Sequence, residues 1–493
     1  MKHLVIVNNP ANWPLDIPDV EVVAARQYLS DITYSKLRKV KIFNLSRSYR
    51  YQSEGYYVSL LAEARGHKPV PSVLTIQDLK SQTMVRFVSD DLNAVIQKSL
   101  KPLQTDHFTL SIYFGKNLAQ RYDRLSKQLF LQFQAPMLRA QFIRTEQKWN
   151  LQSIAPIATN EIPEQHRDFV EQAAQNYFER RRSYIFKKEE TRFDLAILIN
   201  SKDEMSPSND RAIQKFIKAA EKLDFYVELI GRDDYNRLAE FDALFIRETT
   251  SVNHYTYQFA RRADAEGLVV IDDPESILRC TNKVYLAEML ERHNLAAPKT
   301  MIVSEENKDR IPEIIGLPCI LKQPDSSFSQ GVLKADNKDE LKEALSTLFD
   351  TSDLLIAQEF LPTEFDWRIG ILNQKPLYAC KYFMARKHWQ IYNHKKSGAA
   401  ALGNADTLPI EEAPEQIVKL AVKAANLIGN GLYGVDLKQG DGKAYIIEVN
   451  DNPSIDSGVE DDILKDELYL GIMREILRRI EAKKGMDSKT AQL

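Results

Sequence analysis

The stretch Tyr433–Pro453, YGVDLKQGDGKAYIIEVNDNP, decides the reading of this chain. Two strand-like runs, YGVDLK and KAYIIEVN, flank the turn QGDG with its two glycines, which is the pattern of a β-hairpin. Asp436, Glu448 and Asn450 interrupt otherwise apolar strands. Burying an unpaired charge is so costly that such carboxylates need a partner. Glu448 and Asn450 stand two apart, so strand alternation turns both to one face. With Gly434 opposite Glu448, Asp436 becomes a diagonal neighbour on that face, roughly 7–8 Å away. Two carboxylates and an amide oxygen on one face suit Mg²⁺, which takes oxygen ligands together with phosphates. A polar sheet edge capped at the NDNP turn uses the same residues, and a one-residue slip of register undoes the geometry.

Upstream, CILKQPDSSFSQGV (319–332) places Lys322 at the end of an apolar strand. A small-residue loop with Ser326, Ser327, Ser329 and Gly331 follows. A strand-end ammonium beside loop N–H groups can hold phosphate oxygens. GxxxxGK[ST] is absent, so this is not a Walker loop, and a plain surface turn has the same composition. LLIAQEFL (354–361) is an apolar strand carrying Gln358 and Glu359. Its edge can offer backbone groups to an adenine, or the strand is ordinary and the polar pair exposed. Asp366 and Arg368 open a second hairpin, RIGIL–NQKP–LYACKYF (368–383). An arginine on a rigid strand suits an anionic tetrahedral or acyl-phosphate group, while an ion pair with Asp366 is the structural alternative. KYFMARKHWQIYNHKKSGAA (381–400) gathers Lys381, Arg386, Lys387, Lys395 and Lys396 with Trp389 and Tyr392. Such a loop covers a phosphate site or forms an exposed hairpin tip.

Further out, FDLAILIN, FYVELI, DALFIRE and GLVVID between 193 and 272 alternate with helical patterns, the grammar of a parallel βαβ sheet. SND (208–210) supplies helix-capping residues, and no GxGxxG follows the first strand to support a dinucleotide site. HLVIV, VEVVAA and KVKIFNL are strand candidates in the first 150 residues, with a helix over 56–66. The last helix carries an apolar stripe of Leu468, Ile472, Met473, Ile476, Leu477 and Ile480, which a core face explains.

The composition excludes several classes. At about 150 residues per domain, 493 residues suggest three domains. The net charge of −3 argues against a nucleic-acid partner, and the basic cluster at Arg180–Arg182 reads as a solvated helix face. Cys280, Cys319 and Cys380 are far apart and never CxxC, so they read as reduced buried thiols rather than disulfides or a zinc site. No run approaches the ~18 apolar residues of a membrane span. The four apolar residues Leu4–Val7 read as a strand rather than a leader, so a cytoplasmic protein is expected.

In order along the chain, Lys283, Lys322 with its small-residue loop, QEFL, DWR, NHKKSGAA, GVD and EVNDNP resemble the ATP-grasp superfamily. Within it they look like the RimK-type glutamate ligases, over roughly residues 193–482. The first 150 residues are similar to the N-terminal domain of one RimK-like subgroup. The resemblance implies a multidomain chain of α/β and α+β character. Its parts would be an N-terminal α/β domain (1–150), a linker and helix (151–191), a βαβ pre-ATP-grasp domain (192–275), an ATP-grasp domain (276–483) and a tail (484–493).

By the same resemblance, Lys283 and Lys322 contact the nucleotide phosphates, with Ser326, Ser327 and Gly331 in the phosphate loop. Glu359, Phe360 and Leu361 form the adenine strand, Asp366 contacts the ribose and Asn393 makes a further ATP contact. Asp436, Glu448 and Asn450 bind two Mg²⁺ ions, with Mn²⁺ as an alternative, and Arg368 and Lys396 serve catalysis. The implied chemistry is ATP-dependent, ADP-forming ligation through an acyl phosphate, joining an amino acid such as glutamate to a small-molecule or peptide acceptor. A homo-oligomer is compatible with this reading. Two departures stand out: PDSSFSQG replaces a glycine-rich phosphate loop, and Asp451, Asn452 and Pro453 follow the metal asparagine. The glycine-poor loop and the large extra domain keep a non-catalytic ATP-sensing or scaffold protein, or an ATP-grasp kinase, as alternatives.

Overall fold

The structure, a computed structural model, describes residues 2–13, 15, 17, 20–37, 40–185, 191–200, 202–203, 206–325, 331–385, 390–391, 403–440 and 442–484. The chain divides into two compact units, Met1–Thr191 with Asp233–Glu240, and Arg192–Arg232 with Phe241–Leu493.

In the first unit, β1 (Lys2–Val7), β2 (Glu21–Ala24), β3 (Val40–Asn44) and β4 (Lys68–Val70) form a parallel sheet in the order β2-β1-β3-β4. The three apolar runs expected as strands are its first three members. The helix expected over 56–66 runs Glu54–Ala64, with Ser53 capping its start through the Tyr56 amide. An antiparallel sheet of β5 (His107–Tyr113), β6 (Met137–Thr145) and β7 (Lys148–Pro156) completes the unit. The stretch 151–191, expected as a linker and helix, contributes through its described residues to this unit's core. It continues β7 and then forms the helix Arg167–Ile185, whose Val170 and Ala174 pack with Val5 and Phe43. Its prolines and polar residues disguise a strand that is buried on one face only.

The second unit opens with the expected parallel sheet. It consists of β8 (Phe193–Leu198), β9 (Phe225–Ile230), β10 (Ala243–Ile246) and β11 (Val269–Ile271), in the order β11-β10-β8-β9. Every residue of β8 and β10 is buried, as expected of strands covered on both faces. Asn209 caps the following helix through the Ala212 amide. That helix's Ala212, Phe216 and Ala220 share a core with the terminal helix Asp466–Lys483, where Phe216 meets Tyr469 edge-on at 4.7 Å. The terminal stripe is thus core.

Two antiparallel sheets follow. The smaller comprises β12 (Thr300–Val303), β13 (Cys319–Lys322), β14 (Val332–Ala335) and β15 (Leu355–Glu359), in the order β12-β15-β13-β14. The larger comprises β16 (Phe365–Leu372), β17 (Lys375–Phe383), β18 (Ala405–Leu408), β19 (Leu432–Gly440) and β20 (Lys443–Asn450), in the order β18-β17-β16-β19-β20.

Alternation gives the larger sheet two unlike faces. Trp367, Ile369, Ile371, Val435, Leu437, Ile446 and Val449 pack with Ile417, Ala421, Ala424 and Ala425 of the helix Glu415–Ile428. The opposite face carries Arg368, Gly370, Asp436 and Glu448. Gly370 is required there because a Cβ would overlap the ring of Tyr378, which is buried and donates its hydroxyl to the Ser454 carbonyl. Gly370→Ala is therefore expected to cost about 1–3 kcal/mol through overpacking, read as a lower urea midpoint without a change of slope.

Candidate functional site

The site is built on the polar face of the larger sheet. Arg368 on β16 pairs in register with Asp436 on β19, and Asp436 pairs with Glu448 on β20. The register differs from the expected one by two residues, since Gly434 faces Asn450 rather than Glu448. An even shift preserves the face, so Asp436, Glu448 and Asn450 still lie together, and Asp436 stands directly opposite Glu448 instead of diagonally. A bulge between Asp436 and Leu437 leaves Ile447 without a partner across the ladder. Both Ile446 and Val449 consequently face the helix, which simple alternation forbids, while Ile447 and Glu448 line a cavity.

Each charge in this row is matched. Arg368 grips Asp436 with two bonds, Nε to Oδ1 and Nη2 to Oδ2, both at 2.6 Å. The structural alternative, Arg368 with Asp366, does not form. Asp366 instead accepts from Lys438 Nζ at 2.6 Å and from the Thr363 hydroxyl at 3.0 Å. Lys283, at the start of the helix Lys283–Arg292, reaches Glu448 Oε1 at 2.9 Å. Asn450 directs its amide nitrogen to the Gly434 carbonyl and Asp436 Oδ2, each at 3.2 Å. Gly434 allows this closeness, because a Cβ there would come within 2.7 Å of the Pro453 Cβ.

Burial works against the charge of Arg368, but the paired carboxylate of Asp436 more than reverses this and holds the guanidinium charged. Burial likewise opposes the charge of Glu448, yet Lys283 and then Lys322 bring its carboxyl below the ordinary range. Lys322 is brought down to about 8 by burial, with Lys283 and Lys438 adding to the effect against the pull of Glu448.

Lys322 donates to Gln358 Oε1 at 2.8 Å, and Gln358 passes the chain on to the Thr300 hydroxyl at 2.9 Å. Gln358 is 8% exposed, so the polar pair on β15 is not a solvent-facing one. Glu359 accepts from the Lys299 amide at 2.7 Å and donates its own amide to the Lys299 carbonyl at 2.9 Å. Lys283 N donates to the Pro324 carbonyl at 2.9 Å and Asn282 donates to Asp325 at 2.9 Å, which ties the loop after β13 to the helix start.

A cavity of about 270 Å³ gathers these groups. Its lining includes Lys283, Lys322, Glu359, Phe360, Leu361, Asp366, Arg368, Asp436, Glu448 and Asn450, all expected as site residues. Gly331 lies near it, one position before the lining residue Val332. Ser326, Ser327, Asn393 and Lys396 lie outside the described residues. The lining also holds residues to which no role was assigned: Gln358, Lys438 and the segment Thr249–Ser251. Lys438 sits two positions after Asp436 and shares its face, a signal the period of two could have provided. Among the described residues no group of three or more His, Cys, Asp or Glu side chains is arranged to hold a metal. The oxygen donors present are two carboxylates with the Asn450 amide oxygen, a set that fits a hard cation sharing phosphate ligands. No described helix is long and apolar enough to cross a membrane.

Two family models match the sequence. The RimK-like ATP-grasp N-terminal domain matches residues 25–173 and the RimK-like ATP-grasp domain residues 280–467, together more than half of the chain. Among curated relatives, the probable alpha-L-glutamate ligase of Parasynechococcus marenigrum (strain WH8102) is 27% identical over 254 residues, covering 51% of this chain and 51% of that protein. The alpha-aminoadipate–LysW ligase LysX of Saccharolobus solfataricus is 29% identical over 194 residues, covering 38% of this chain and 67% of that protein. The match thus spans about half the length of the first of these relatives. The D-alanine–D-alanine ligase from Bacillus anthracis aligns in structure with a TM-score of 0.46 and 14% identity, over 60% of this chain and 100% of that one.

Arg368→Ala would leave Asp436 buried without its cation, so a loss of about 3–5 kcal/mol is expected in urea denaturation at neutral pH. Arg368→Lys should recover only part of it, because an ammonium cannot reproduce the two-pronged contact.

Proposed function

The chain belongs to the RimK-like ATP-grasp family, and from that premise we propose that it is an ATP-dependent, ADP-forming carboxylate–amine ligase. The observation that carries this reading is the row Arg368, Asp436 and Glu448 across three neighbouring strands, with Lys283 and Lys322 at the same cavity. Lys283, Lys322, Arg368 and Lys438 bring four cations to one cavity, which suits polyanionic phosphate, and catalysis of phosphoryl transfer is chiefly positioning and charge stabilisation.

In this reading Lys283 and Lys322 bind phosphate oxygens. The backbone at Glu359–Leu361 offers the adenine edge its donors and acceptors, and the reciprocal bonds of Glu359 with Lys299 keep that edge rigid. Asp366 receives the ribose hydroxyls. Asp436, Glu448 and Asn450 hold Mg²⁺, which when bound neutralises phosphate charge. A carboxylate oxygen of the acid substrate takes the γ-phosphoryl group, and ADP departs with the electrons of the broken P–O bond. The amine nitrogen then attacks the acyl carbon. The C–O bond to phosphate breaks, inorganic phosphate leaves and the amine's proton is released. Arg368, on a rigid strand beside the cavity, steadies the anionic oxygen that develops at each stage.

Incubation with Mg·ATP, pooled acids and hydroxylamine is expected to yield ADP, phosphate and a hydroxamate, with Glu448→Gln lowering turnover by about 10²-fold or more. A stably phosphorylated product would make the protein a kinase, and nucleotide binding without turnover would make it a sensor. The affinity for Mg·ATP should also depend on pH through Lys322. Its ammonium is charged below about 8 and neutral above, so the Kd should stay flat below that point and rise as the pH climbs through it. Lys322→Met should weaken binding at neutral pH and abolish this dependence.

A further inference from the structure

The cations of the cavity are concentrated where the nucleotide is placed: Lys283, Lys322, Arg368 and Lys438. Another part of the wall is made of Thr249, Thr250 and Ser251, which follow β10, and of Asp451 to Ser454, which follow β20. Asp451 is 5% exposed, lines the cavity, and its Oδ2 has no hydrogen-bond partner among the described residues. Two more buried acids stand at the ends of neighbouring strands. Glu248, two residues past β10, accepts from Tyr255 and Asn200 through Oε1, while its Oε2 has no hydrogen-bond partner among the described residues. Asp272, directly after β11, has a hydrogen-bond partner on neither oxygen among the described residues and lies close enough to Asp451 to resist its charge.

The cation beside this wall is already committed. Arg247 is fully buried and donates to the Ser208 hydroxyl, to Asn452 Oδ1 at 2.6 Å, and to the carbonyls of Pro207 and Pro453. Asn452 in turn donates to the Glu248 carbonyl at 2.7 Å, which fixes the turn that carries Asp451. A buried carboxylate oxygen left unpartnered is destabilising, and a cation that arrives with a substrate removes that penalty. An ammonium brings three donors and no acceptor, which suits this wall. A second carboxylate, as in an acidic amino acid, would meet like charge.

We propose that the amine substrate is a net-positive amine, such as a diamine or a basic amino acid, and that Asp451 receives an ammonium group of it at the wall formed with Thr249–Ser251. This rests on the ligase reading. It departs from the glutamate that the sequence resemblance suggested.

Calorimetric titration of the full chain tests it, with Mg·AMP-PNP present and 1,5-diaminopentane or L-glutamate as the probe. Diaminopentane is expected to bind and glutamate, at the same concentration, is not. Asp451→Asn should weaken diaminopentane by about tenfold or more, while binding of Mg·AMP-PNP to the variant reports that it is folded. Preferential binding of glutamate to the wild type would overturn the proposal even if the variant fails to fold. An unchanged diamine affinity in Asp451→Asn would overturn it too. So would a variant whose defect is cured by excess Mg²⁺, which would make Asp451 a metal ligand. Failure of the wild type to bind Mg·AMP-PNP at all would instead overturn the ligase reading, whereas nucleotide binding without diamine binding overturns this inference alone.

Discussion

The pairing of two neighbouring carboxylates with a cation on either side is the constraint on which the second unit depends. Lys283, Glu448, Asp436 and Arg368 lie one after another, with each carboxylate paired to a cation from a different element. None of them could be buried alone at tolerable cost. Their mutual pairing ties the helix start at Lys283 and strand β16 to the acidic hairpin. Lys438 and Asp366 repeat the arrangement one step along the same face. The site is ordered because its charge is internally matched.

The opposite face of the sheet supplies the rigidity. Ile369, Val435 and Val449 are fully buried against the helix Glu415–Ile428, so the strands cannot slip without exposing their apolar set. The bulge at Ile447 reconciles two demands on one short strand. It keeps Ile446 and Val449 in the core and still turns Glu448 to the cavity. Gly370 and Gly434 serve the same compactness by letting Tyr378 and Pro453 come close behind the charged row.

Much of this was legible in the residues. Strands β8 to β11, the capped helix after Asn209 and the stripe on the terminal helix follow directly from period and capping. The common face of Asp436, Glu448 and Asn450 was legible as well, because spacing of two survives any even error in register. The pairing partners were not. Arg368 prefers Asp436 to its near neighbour Asp366 because the larger sheet sets the two opposite one another, and Lys322 finds Gln358 because the smaller sheet makes them diagonal neighbours. The bulge was hidden too, since YIIEVN does not by itself say which of its adjacent isoleucines drops out of the ladder. The helix Arg167–Ile185 was legible as a helix, but its share in the first unit's core was not, because its composition is polar.

A crystal structure of the full chain with Mn²⁺ and AMP-PNP, phased to show the anomalous signal of the metal, is the most direct test of the proposed nucleotide site. Metal density at Asp436, Glu448 and Asn450, with the phosphates reached by Lys283 and Lys322, is the predicted result. Nucleotide bound elsewhere, or at this cavity with no metal on those three side chains, would contradict it.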